Sequence, residues 1–200
     1  MKVLIACEYS GSVRDEFLKL GHDAWSCDIL PCESKYNKDN YRHYQGDVTD
    51  ILNDGWDLMI AHPPCTHLAV SGARHFHRKQ KEQKEALEFV QLLMDAPIDK
   101  ICIENPVSII STRIRKPEQI IQPFHFGHTT MKTTCLWLKN LPNLEHTKVV
   151  EPEMITMKNG KRMSKWHYET FKLPHKERGK VRSKTFEGIA KAMALQWGES

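Results

Sequence analysis

The sequence predicts an α/β domain built on a doubly wound, mainly parallel β-sheet. Three observations carry that prediction. Short apolar runs alternate with segments of helical period. Most of the runs stop at glycine, proline or an acidic residue, the punctuation of strand ends. The length, 200 residues, suits one core and leaves little for a second.

The elements follow in order. Lys2–Cys7 is an apolar run of β-formers. A helix follows, with Val13, Phe17 and Leu20 on one face and Gly21 closing it. His22–Cys27 reads as the second strand, Tyr44–Val48 as a short third, and Trp56–Ala61 as a buried fourth stopped by His62-Pro63-Pro64. A long helix is expected from about residue 78 to 94, with Leu87, Val90, Leu93 and Met94 as its apolar side. Ile98–Glu104 gives a fifth strand. Ile120–Phe126 and Thr133–Leu138 read as two more around a turn at Gly127, and a last helix runs from about Phe186 to Trp197. Residues 139–182 have weak periodicity and read as a loop-rich basic insertion within a single domain of residues 1–200.

Composition narrows the function classes. A hydrophobic fraction of 40% and a charged fraction of 27% are ordinary for a globular protein. No apolar run reaches membrane-spanning length, and Glu8 breaks the first apolar run too early for a signal peptide, so a cytoplasmic protein is expected. None of the 6 cysteines forms Cys-x-x-Cys. Cys7, Cys102 and Cys135 lie inside apolar runs and read as small core residues. Charge is uneven: residues 156–184 hold ten basic and two acidic side chains, interleaved with Trp166, His167, Tyr168 and Phe171. That pattern suits an anionic polymer, with phosphates on the cations and bases on the rings.

The chemistry-bearing residues gather where strands end, which is where open α/β sheets bind ligands. Glu8-Tyr9-Ser10-Gly11-Ser12 is a turn before a helix, whose free N–H groups can hold a carboxylate or phosphate. Asp28, 17 positions after Gly11, suits ribose hydroxyls, and Asp47 suits an exocyclic adenine amine. Pro63-Pro64 fixes two φ angles and removes two donors, so Cys65 follows on a stiff platform suited to a nucleophile. Glu104 ends the next strand, close enough to protonate a ring that Cys65 attacks. Its burial is expected to raise its pKa toward that of a general acid.

These motifs resemble the DNA cytosine-C5 methyltransferase family. Pro63-Pro64-Cys65 is similar to the family's Pro-Pro-Cys loop, with Ser71-Gly72 like the small residues after it. Glu104-Asn105-Pro106 resembles its Glu-Asn-Val motif, Gly46-Asp47-Val48 its Gly-Asp-Ile motif, and Glu8–Ser12 stands at its glycine loop. The order holds over roughly residues 1–110. The resemblance implies the Rossmann-like fold of S-adenosylmethionine-dependent enzymes. It places S-adenosyl-L-methionine on Glu8, Tyr9, Ser10, Gly11, Ser12 and Val13, on Asp28 and Ile29, on Asp47 and Val48, and at Pro63. It implies Cys65 addition to pyrimidine C6 with Glu104 donating to N3, supported by Pro64 and Asn105. A cation beside the thiol is expected from Arg113, Arg115 or Lys132.

The departures bear on the substrate. Ala61-His62 precedes Pro-Pro where the family has glycine, and the family's Gln-x-Arg-x-Arg motif has no match; Thr130–Thr134, its equivalent by strand order, holds only Lys132. Residues 139–182 stand in place of a full target-recognition domain. DNA is the first expectation, single-stranded included, through segment 156–184. A free nucleotide such as dCMP is the alternative, and so is an inactive nucleic-acid-binding relative. His62, His67, His75 and His77 admit a metal reading, but without a carboxylate at a familiar spacing.

Overall fold

The computed structural model describes residues 1–34, 36 and 42–199. Its centre is a seven-stranded sheet of β1 (Lys2–Ala6), β2 (Asp23–Asp28), β3 (His43–Gln45), β4 (Leu58–Ala61), β5 (Lys100–Pro106), β6 (Gln119–Ile121) and β7 (Thr134–Lys139). The spatial order is β3-β2-β1-β4-β5-β7-β6. β3, β2, β1, β4 and β5 run parallel, while β7 pairs antiparallel with both β5 and β6. The fold is therefore mixed α/β with a mostly parallel sheet.

Continuous apolar runs form these strands because both faces of the sheet are covered. Val3, Ile5, Leu58, Ile60, Cys102, Leu136 and Leu138 face one core, shared with α1 (Ser12–Lys19) and α6 (Glu187–Gly198). Leu4, Ala6, Met59, Ala61, Ile101, Ile103, Cys135 and Trp137 face the other, which takes Val90 and Leu93 of α2 (Gln80–Met94). A short helix, α3 (Ile110–Arg113), follows β5 and buries Ile110.

Several boundaries differ from the sequence reading. The third strand covers only His43–Gln45, because Asp47 caps a 3-10 turn over Val48–Asp50. The sixth stops at Ile121, where Pro123 starts another 3-10 turn. Residues 70–78 form a 3-10 stretch before α2. Segment 139–182 is loop over residues 140–153 and ordered beyond them. It holds a hairpin of β8 (Met154–Thr156) and β9 (Arg162–Ser164), then α4 (Lys165–Phe171) and the start of α5 (His175–Ser183). α5 buries no residue, so it carries no apolar period to read. Cys102, Cys135 and Cys27 are buried, but Cys7 is only half-buried and stands at the strand edge with φ of 58°.

Candidate functional site

The strand order sets the location of the site. The chain leaves β1 toward β2 on one side, and β4 lies on the other. The connections diverge at the C-terminal ends of β1 and β4, which is the switch point where sheets of this kind take ligands. Glu8, Asp28, Asp47, His62–Cys65 and Glu104–Pro106 all lie at or just after the ends of parallel strands, on this edge. β7 is antiparallel, so its beginning lies there too: Thr134 pairs with Pro106. That register brings Lys132 to the same edge.

The loop carrying Cys65 is braced at both ends. The His62 N–H donates to the Ala6 carbonyl at 2.9 Å. Asn105, 1% exposed, donates from Nδ2 to the Pro63 carbonyl at 2.8 Å. The Cys65 carbonyl accepts from the Leu68 and Ala69 N–H groups, at 3.0 and 2.9 Å. Beyond that turn, Val70 N–H donates to the Val107 carbonyl and Ile109 N–H to the Leu68 carbonyl, each at 3.0 Å. The two loops after β4 and β5 thus form one hydrogen-bonded unit. Pro63 is buried in it, while Pro64 and Cys65 are exposed.

Two charges of opposite sign flank the thiol. Cys65 is exposed as a residue, yet desolvation by the strand ends is the first influence raising its pKa, and the Glu104 charge adds to it. Lys132 opposes both. Exposure limits how far desolvation acts, so the two charges are the levers. Glu104 departs from expectation. Burial pushes its carboxyl up, but a hydrogen bond from His62, the charges of Lys132 and His62, and a bond from Thr134 outweigh that and hold it below the usual carboxylate range. Burial alone predicts the opposite direction, and the sequence does not reveal these partners. His62 Nδ1 lies 3.1 Å from Glu104 Oε2. The alternation of His62 with apolar Ile60 along the run gave no sign of that pairing. Thr134 likewise gave none.

The candidate cations separate. Arg115 pairs with Glu118 and donates to the Leu138 carbonyl at 3.1 Å. Leu138 pairs with Cys102, two residues before Glu104, so Arg115 serves the lower part of the sheet and not the Cys65 edge. Arg113 lines a groove beside α2 with His77, Lys84 and Glu88. Lys132 alone of the three acts on both Cys65 and Glu104.

The first loop is used differently from expectation. Glu8, 4% exposed, turns its own carboxylate onto the start of α1. Oε1 accepts from the Val13 N–H at 2.7 Å and Oε2 from the Arg14 N–H at 3.3 Å. These two donors are therefore filled from within, and a ligand carboxylate does not find them free. Burial raises the Glu8 carboxyl, the His62 charge being the leading influence the other way. Ser10 bonds Glu8 and Ser12 through its hydroxyl, at 3.2 and 3.0 Å. Gly11 has φ of 72°, and a Cβ there would lie 2.7 Å from the Ser34 Cβ, so glycine is required. Tyr9 is buried beneath α5, its hydroxyl 2.9 Å from Ser183 Oγ. Val13 and Val48 are core side chains, leaving only their backbone to face a ligand.

Among the described residues, the ends of β2 and β3 keep exposed side chains. Asp28 accepts from the Leu30 N–H at 2.9 Å, and beside it Ile29 is 74% exposed. Asp47 Oδ1 accepts from the Thr49 N–H and hydroxyl, at 2.9 and 2.8 Å, and its second oxygen has no partner among the described residues. Both aspartates lie near enough to Cys7 to raise its thiol, after burial. Two carboxylates beside an exposed apolar side chain fit an adenosine. At the α1 end, the Val13 and Arg14 N–H groups are occupied by Glu8.

The basic segment divides in two. Lys180 and Lys184 both pair with Glu33 at 2.9 Å, Lys165 pairs with Glu153 at 2.8 Å, and Arg178 and Arg182 donate to backbone carbonyls. Trp166 packs on Phe186, with ring centroids 5.5 Å apart. These residues brace the structure. Lys158, Lys161, Arg162 and Lys176 are exposed and have no partner among the described residues. The hairpin bearing three of them is anchored by Ser164 Oγ, which accepts from the Met131 N–H at 3.4 Å beside Lys132. Among the described residues no group of His, Cys, Asp or Glu is placed to hold a metal ion, and no helix is long and apolar enough to cross a membrane. The His75 side chain lies outside the described residues.

Fold and site define an α/β protein with a polar, cysteine-bearing sheet edge at its switch point. No protein-family model and no curated protein matches the chain. Among solved structures, one E. coli protein, described as a candidate DNA modification methyltransferase encoded within a prophage, is similar with 14% identity and a TM-score of 0.48 over 76% of this chain. The present chain spans about half, 52%, of that protein.

Proposed function

We propose that this chain transfers a methyl group from S-adenosylmethionine to C5 of cytosine in DNA, through a covalent Cys65 adduct. The observation that carries the reading is the braced unit of Pro63–Cys65 and Glu104–Asn105, joined by the 2.8 Å Asn105–Pro63 bond, with Lys132 acting on both reactive groups. A structural cysteine needs neither a rigid exposed platform nor a carboxyl group and a cation around it.

Bound at Asp28, Ile29 and Asp47, the cofactor supplies an electrophilic methyl group. The Cys65 sulfur adds to C6, and Glu104 protonates N3. The C5–C6 double bond is then an enamine-like nucleophile at C5. Once C5 is substituted, its proton leaves to solvent or a base, the electron pair of that bond re-forms the C5–C6 double bond as the C6–S bond breaks, and N3 returns its proton to Glu104, so Cys65 and Glu104 are both regenerated. In the free chain Cys65 favours its proton and Glu104 lacks one, the reverse of the reacting state. The substrate must therefore be engaged before the nucleophile is formed, with Lys132 stabilising the thiolate.

A polymer is favoured over a free nucleotide by the exposed cations of the hairpin beside Lys132. The test is incubation with 5-fluorocytosine in duplex DNA, in single strands and as free 5-fluoro-dCMP, with S-adenosylmethionine present. A denaturation-resistant adduct with a DNA oligonucleotide, absent in Cys65→Ser, is expected. An adduct with the free nucleotide alone overturns the polymer reading. No adduct and no tritiated methyl transfer on any of them overturns the enzyme reading.

A further inference from the structure

His62 is the residue at this edge that neither the nucleophile nor the cofactor reading uses. It directly precedes Pro63, so the rigid platform fixes its backbone as well. Its side chain is 9% exposed, and Nδ1 lies 3.1 Å from Glu104 Oε2. Nε2 is buried and has no hydrogen-bond partner among the described residues. β1, β4 and β5 are adjacent, so Glu8, His62 and Glu104 form one row of three titratable groups across the switch point. The charged groups acting on His62 are Glu8 from the β1 loop and Glu104 from β5, and Lys132, ahead of β7, acts on Glu104 from its other side of the sheet order. Carboxylates on the two neighbouring strands offset part of the cost of a positive charge on this buried imidazole.

We propose that His62 is a positioning residue that supplies Glu104 with the proton it delivers to the substrate ring. This rests on the C5-transfer reading above. The step balances simply. The imidazolium Nδ1–H bond breaks as the Oε2–H bond of Glu104 forms, leaving neutral imidazole. Glu104 then gives that proton to ring N3. When N3 is deprotonated at the end of the cycle, the proton returns through Oε2 to Nδ1. No oxidant or further reactant is needed. A carboxyl held in its ionised form by its neighbours can then act as an acid, because its hydrogen-bond partner at 3.1 Å is an imidazole that can itself pass on a proton.

Two measurements test this. The first does not depend on activity. The His62 imidazole is titrated by NMR in the wild-type chain and in Glu104→Gln, with His62→Asn used to assign the signal. Loss of the carboxylate partner is expected to shift the imidazole ionisation by about tenfold toward the neutral form. The same midpoint in both proteins overturns the pairing and the proposal with it. The second is the pH profile of tritiated methyl transfer to a cytosine-containing duplex. In the wild type, kcat/KM is expected to fall on the alkaline side as His62 loses its proton. In His62→Asn, which keeps a donor but cannot titrate, that limb should vanish and the plateau drop by about 10²–10⁴-fold, the usual contribution of a general acid. An unchanged profile overturns the proposal. If wild type transfers no methyl group to any substrate, the C5 reading fails. The titration then still decides whether His62 and Glu104 share a proton.

Discussion

Asn105→Ala removes the side-chain bond that ties the end of β5 to the Cys65 platform. Asn105 is 1% exposed and its Nδ2 lies 2.8 Å from the Pro63 carbonyl. The bond itself is worth about 1 kcal/mol, and a buried carbonyl left without a donor costs about 1–3 kcal/mol. The other amide atom, Oδ1, is buried without a partner, and losing it returns part of that cost. The net is about 2–3 kcal/mol. In a domain of 200 residues that lowers Tm by about 4–12 °C. Asn105→Asp should be worse at neutral pH, because it sets a carboxylate oxygen against the Pro63 carbonyl. The stability assay is thermal unfolding followed by circular dichroism. The functional assay is iodoacetamide labelling of Cys65 at a temperature where both proteins are folded. The freed platform should change the labelling rate, whereas a bond that serves stability alone should leave it unaltered. A Tm within about 1 °C of wild type, with unchanged labelling, would refute the reasoning that this amide holds the nucleophile loop.

Other outcomes follow from the same geometry. Lys132→Met should slow Cys65 alkylation at fixed pH, and Glu104→Gln should speed it, because the Lys132 charge lowers the thiol pKa and the Glu104 charge raises it; shifts of the same sign in both variants would contradict the electrostatic account. Arg115→Ala should leave alkylation unchanged while costing stability, since its partners are Glu118 and the Leu138 carbonyl. Glu104 is held below the usual carboxylate range, so its ionisation contributes stability above the unfolded pKa, and that contribution is lost as pH falls through the folded value. The stability gap between wild type and Glu104→Gln, read from urea midpoints, should therefore shrink in acid. Gly188→Ala would place a Cβ 2.0 Å from the Phe126 carbonyl oxygen, so α6 must shift and chemical denaturation should show a loss of about 1–3 kcal/mol or more. Neutralising Lys158, Lys161 and Arg162 together should reduce the slope of log affinity against log salt for DNA by roughly 2–3, about one unit for each phosphate that no longer meets a cation.

The fold was largely legible because its strands are buried on both faces. Runs such as Val3-Leu4-Ile5-Ala6 and Leu58-Met59-Ile60-Ala61 are apolar without alternation, and their polar stops mark the C-terminal edge directly. What resisted reading was local competition at those stops. Asp47 reads as a strand end, but its oxygen caps a 3-10 turn. Glu8 reads as part of a ligand loop, but it fills the helix N-terminus beside it. α5 carries no apolar period because it is held by Tyr9 and by the Glu33 pairs with Lys180 and Lys184, partners 147 residues or more apart in sequence.

The reversed strand matters most for the site. Lys132 lies 28 residues after Glu104, beyond one strand-like segment, and nothing in that spacing brings it back to the same edge. The reversal does. β7 runs against β5, so its first residues face the last residues of β5, with Thr134 against Pro106 and Leu136 against Glu104. A parallel strand in that slot would have turned Lys132 to the opposite edge, leaving Cys65 with a carboxylate neighbour and no cation. Strand direction, which an apolar run does not record, thus decides which candidate cation meets the thiol. By the same logic Arg115, which precedes β6 at the lower end of the sheet, is committed to Glu118 and Leu138 despite lying only eleven residues from Glu104.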